Sequence, residues 1–131
     1  MPRFYTPRQA NEALVAIRPI MEEMMHIGVK IREHQPDLWA LVEKTAGNGG
    51  NPALGKMLKD FDRLDALLHQ IQDMGVQVKD LQIGLIDFFA WHDEREVHLC
   101  WKYGEESVQY WHEIEAGFAG RQLIDWDLGE E

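Results

Sequence analysis

Asp87, His98 and His112 are the side chains of this chain best suited to hold a cation. Carboxylate oxygen and imidazole nitrogen together suit zinc, manganese or iron. Glu113 and Glu115 follow His112 closely. In an extended segment, however, His112 and Glu113 point to opposite faces and cannot share an ion without a bend. The cross-strand set works better: packing Ile86 and Phe88 with Val97, Leu99 and Trp101 as a core brings Asp87 beside His98 on the other face. The plain alternative leaves Asp87 and His98 on a solvated face, with His112 hydrogen-bonded near an aromatic cluster.

Cys100, the single cysteine, invites a nucleophile reading with His98 or His112 as base. Its position in mid-strand suits a small buried hydrophobe better. A third chemistry belongs to Gly117, Gly120 and Arg121. Two glycines let backbone N–H groups turn toward an anion, and a guanidinium offers a planar fork for carboxylate or phosphate. Lys102 and His112 are within reach of such a pocket, and Trp111 is a candidate wall. The competing reading makes the glycines a tight turn and pairs Arg121 with one of many carboxylates.

These residues need elements to position them. Thr6-Pro7-Arg8-Gln9 carries a helix start: Thr6 caps, Pro7 fits the first helical position and Gln9 completes a capping box. Leu14, Ile17, Met21, Met24, Gly28, Ile31 and Leu38 then follow a seven-residue repeat, with Pro19 predicting a kink or one unpaired carbonyl. Pro36 ends that helix, and a short one restarts over 38–44. Residues 45–51, rich in Gly and Asn, form a linker. Asn51-Pro52 repeats the start signal. Leu54, Met57, Phe61, Leu64, Leu68 and Ile71 continue the alternation up to a Gly75 cap. The result is an antiparallel helical hairpin over 7–74. His26, His34 and His69 fall off its seams and face solvent.

After Gly75 the period becomes alternating. Strands are predicted at 76–79, 84–89, 95–102 and 107–112, with turns at 91–94 and 103–106. A β-meander and Gly-rich loop therefore occupy 76–122, and an acidic tail 123–131. The fold class is α+β, one domain over 1–131: a long helical hairpin packed on a three- to four-stranded antiparallel sheet. The tryptophans belong to the core and to contacts rather than to a ligand box.

The charge balance, 13 basic against 23 acidic residues, gives a net charge of −10. It argues against nucleic acid and against an anionic membrane. No apolar run is long enough to span a bilayer, and the N-terminus lacks a signal-peptide core. One cysteine makes no intrachain disulfide, so the cytoplasm is the default compartment.

The blocks Val78-Lys79-Asp80, Gly84-Leu85-Ile86-Asp87-Phe88, Arg95-Glu96-Val97, Leu99-Cys100-Trp101 and Tyr110-Trp111-His112-Glu113, running into Ala116 through Arg121, resemble the bacterial family of unknown function DUF2203. Phe4-Tyr5-Thr6-Pro7 and Ala10 through Leu14 are similar to its N-terminus. The resemblance implies a small bacterial cytoplasmic protein and carries over no catalytic residue. Pro19 matches the family pattern, whereas Leu123 stands where the family typically has proline. The expectation is a non-enzymatic binding or assembly module, a homodimer joined through the N-terminal helices. The alternative is a small-anion or metal-dependent enzyme or sensor using Asp87, His98, His112 and Arg121, with the cofactor unknown.

Overall fold

The computed structural model describes residues 3–34 and 52–127. The expected stop at Pro36, the helix over 38–44, the 45–51 linker, Trp39 and the last tail residues lie outside the described residues. Helix α1 spans Pro7–His34 and α2 spans Pro52–Asp73. The capping box forms as read: the Thr6 N–H donates to Gln9 Oε1 at 3.0 Å, and the Gln9 N–H to Thr6 Oγ1 at 3.1 Å. The helix runs through Pro19. Proline removes the hydrogen bond to the carbonyl four residues back, that of Val15, and Val15 is 77% exposed, so water can satisfy it.

Leu14, Ile17, Met21 and Met24 are buried, as the heptad spacing requires. On α2 the seam is shifted: Leu67 joins Met57 and Ile71 inside, whereas Phe61 is exposed. The reason is the sheet, which draws in a broader stripe than a two-helix seam. The helices are antiparallel, since Glu23 pairs with Arg63 and Lys30 with Asp60.

Five strands follow in chain order: β1 Val76–Asp80, β2 Leu85–His92, β3 Arg95–Lys102, β4 Tyr110–Glu113 and β5 Gln122–Leu123. They form one antiparallel sheet ordered β1-β2-β3-β4-β5. Three details differ from the sequence reading. Trp91 and His92 belong to β2, because Asp93 and Glu94 alone make the turn, with φ of 53° and 63°. Two positive φ values are what a two-residue hairpin needs to match strand twist. Next, β4 begins at Tyr110, because the Asn11 amide claims the Val108 N–H and carbonyl. Finally, β5 adds a fifth strand where three or four were expected. Two residues are too few for an alternation signal.

The inner face carries Ile86, Phe88, Val97, Leu99 and Trp101, all essentially inaccessible against the helices. The N-terminal segment is tied to the sheet as well. The Tyr5 N–H donates to the Phe89 carbonyl at 2.7 Å, and its hydroxyl donates to the Met74 carbonyl. Gly84 is required where the sheet meets α1. Its φ is +71°, and a Cβ there would stand 2.5 Å from the Tyr103 Cβ. The tail packs rather than trailing off: Ile124 is buried, and Trp126 stacks on His92 at 3.5 Å.

Candidate metal centre on the outer sheet face

Register places the chemistry. Asp87 pairs with Cys100, Cys100 with Tyr110, and His98 with both Phe89 and His112. Directly opposed residues in an antiparallel sheet share a face, so Asp87, His98, Cys100 and His112 all stand on the outer side. Sequence pairing had put Asp87 beside His98, and the two are diagonal neighbours instead. A two-residue slip keeps every side chain on its face, which is why the same residues still converge.

Among the described residues neither α1 nor α2 covers this side, yet Asp87 is 3% exposed, His98 6%, His112 2% and Cys100 0%. Phe89 lies edge-on to His98, with ring centres 5.2 Å apart. On the other flank Arg121 lies over the Tyr110 ring at 4.1 Å and the Phe118 ring at 4.8 Å.

Within the cluster, Asp87 Oδ1 is 3.2 Å from His112 Nε2, and Oδ2 is 3.4 Å from His98 Nδ1. The second contact is not aligned as a hydrogen bond, which leaves His98 Nδ1 buried without a partner. Such an atom is rare and costly unless something else satisfies it. His112 Nδ1 is 2.8 Å from the Glu113 carbonyl, an acceptor, so Nδ1 carries the proton. In the neutral ring Nε2 is then a bare lone pair aimed at a carboxylate. Either a proton or a cation must stand between them. A ring nitrogen held by a backbone carbonyl, leaving the other free to bind, is how metal-binding histidines are oriented.

Donor atoms of Asp87, Cys100 and His112 all lie within 4.8 Å of one another. Burial opposes the charge on Asp87, but the close polar contacts and charge of the neighbouring His98 and His112 rings outweigh it and hold the carboxyl below its usual value. Cys100 goes the other way: burial, with Asp87 beside it, pushes the thiol up to about 12. A free nucleophile needs the reverse shift, so the thiol is inert in this state. Sequence reasoning put Cys100 on the correct face and left it out of the donor set. The His98-Leu99-Cys100 spacing, two donors one alternation apart, was the signal that could have included it.

The anion candidates do not gather in this way. Arg121 Nη2 donates to Glu105 at 2.6 Å and to the Cys100 carbonyl at 3.4 Å, so its charge is balanced within the chain. Gly117, with φ of 62°, precedes the short 3-10 turn Phe118–Gly120. Lys102 ends β3, and its N–H donates to the same Glu105 Oε1 that Arg121 pairs with. Trp111 occupies the opposite face of β4, against His92 and Trp126. His112 is taken up by Asp87. His26 and His69 are exposed as expected.

The profile of the DUF2203 family, described as an uncharacterized conserved protein, matches residues 3–124. No curated protein and no solved structure matches the chain. Among the described residues, no helix is long and apolar enough to cross a membrane.

Proposed function

From the premise that the chain belongs to the DUF2203 family, whose description assigns no chemistry, we propose that it binds one transition-metal ion at Asp87, Cys100 and His112, with His98 as the fourth donor. The observation that carries this is the convergence of three buried donors of different classes within 4.8 Å. Oxygen, sulfur and nitrogen in one set favour zinc or ferrous iron over magnesium or calcium, which prefer oxygen alone. With His98 turned in as the fourth donor the centre would be closed, suited to structural or sensing roles rather than to holding a substrate on the metal. Loading would displace the Cys100 proton, so affinity falls with acidity. A reducing compartment such as the cytoplasm keeps that thiol available.

Reconstitution with cobalt(II) under anaerobic conditions tests the assignment. One ion per chain is expected, with a thiolate charge-transfer band that Cys100→Ser removes and overall binding that His112→Ala abolishes. Zinc should protect Cys100 from alkylating agents during denaturant titration. A protein that retains no zinc, cobalt or iron after loading, and whose melting temperature none of them shifts, sinks the proposal.

A second reading, the non-enzymatic assembly module, draws on exposed apolar side chains. Val29, Leu58 and Phe61 are 44%, 54% and 41% exposed on the helical pair, the surface expected from sequence to join two copies. The outer sheet face carries a competing set.

A further inference from the structure

Trp91 is 55% exposed, Ile114 48%, Phe118 43% and Leu123 68%. Trp91 stands on β2 at one side of the buried cluster. Leu123 pairs with Tyr110 at the other side, and Phe118 packs near it against Arg121. Scattered apolar residues are normal on a monomer, but these four flank one face of the sheet.

Charge selects the occupant. Along β3 the outward side chains run Glu96, His98, Cys100, Lys102, so the strand is acidic at one end and basic at the other. The two ends are roughly 20 Å apart at strand rise. The acidic end continues into Asp93 and Glu94 of the turn. At the basic end, Asp80 on β1 spends a carboxylate oxygen on the Gln82 and Ile83 N–H groups. Nearby, Glu105 and Arg121 neutralise each other. A chain of net charge −10 repels its own copies over most of its surface. On β3 itself the outward charges balance, Glu96 against Lys102, and are arranged head to tail.

We infer that the outer sheet face is a self-association surface on which a second copy docks face to face. The twofold axis lies in the face and runs across the strands. That rotation sets β3 antiparallel to its counterpart, with Lys102 of each copy over Glu96 of the other. It also carries Trp91 onto the Leu85 end of the facing β2. An axis along the strands would instead oppose Lys102 to Lys102 and Glu96 to Glu96. Strand spacing and rise give the sheet face roughly 500 Å² in projection. The Phe118 and Ile114 loop and the Trp91 rim would supply the rest of the roughly 800 Å² per partner that a stable dimer needs. The packing closes over the cluster, and it does not depend on the metal assignment.

Size-exclusion chromatography with light scattering, run on the full chain in chelator at tens of micromolar, tests the surface. The expected species is a dimer. Lys102→Glu should weaken it by roughly 100-fold, because like charges then meet twice. Glu96→Lys should do the same, and the double exchange should restore it. Trp91→Glu, at an exposed position, should also give a folded monomer by circular dichroism. A monomeric wild type overturns the inference. So does a dimer indifferent to Lys102→Glu, a double variant that stays monomeric, or a dimer broken by Phe61→Glu but not by Trp91→Glu.

Discussion

The two faces of β2 and β3 are written by one alternating stretch of chain and solve opposite problems. Inward, Phe88, Val97, Leu99 and Trp101 meet helix side chains and are fully buried by apolar neighbours. Outward, Asp87, His98 and Cys100 reach similar burial with neither described helix above them, at the cost of a buried imidazole nitrogen lacking a partner. An apolar face gains from burial in proportion to area. A polar face gains only if its groups satisfy one another or a ligand. Burial without complete satisfaction is what separates a site from a core.

Substitutions on the two faces should therefore fail differently. Phe88→Ala should cost about 3–5 kcal/mol in urea unfolding, independent of pH and of added metal, as expected for a cavity in a packed core. A loss that zinc repairs would blur the distinction between the faces. Asp87→Asn, compared with wild type in chelator, should cost less, about 1–3 kcal/mol at neutral pH for disturbed buried polar groups.

The pH dependence of that second loss follows from the Asp87 carboxyl. Its value is lowered in the folded state, so its contribution is complete above the ordinary aspartate range of about 4 and fades only as pH falls through the lower folded value. The gap between wild type and Asp87→Asn should persist from pH 7 to 5 and narrow only below about pH 4. Closure of the gap between pH 7 and 5 would mean that Asp87 is not the ionised centre of the cluster. The smallest effect belongs to neither face. Arg63→Ala breaks the exposed pair with Glu23 on the helices and should leave the melting temperature unchanged within error.

The sequence displayed the inner face more fully than the outer one. Strict alternation from Arg95 to Lys102 named the core side chains, and the Thr6–Gln9 box marked the helix start, because both signals are local. The outer residues Asp87, His98 and His112 were legible as types sharing a face. Their buried state was not, since it depends on Phe89, Tyr110 and the Phe118–Arg121 segment closing over them from elsewhere in the chain. Cys100 illustrates the limit. Alone it reads as a small hydrophobe, and only the register with Asp87 and Tyr110 makes it a donor. The pairing of Arg121 with Glu105 likewise joins two loops that no periodicity links. β5 and the Trp126 stack on His92 were missed for the same reason.

The chain-order meander also bears on the order of assembly. Asp87 and His112 are 25 residues apart, whereas the Asn11 amide that fixes α1 to the sheet reaches Val108 across 97. Loop-closure entropy rises with the logarithm of separation, so the longer closure costs about 1.2 kcal/mol more. The donor cluster is thus a short-range object, closed by neighbouring hairpins. The first helix makes the expensive long-range closure, and its docking is the step that topology slows.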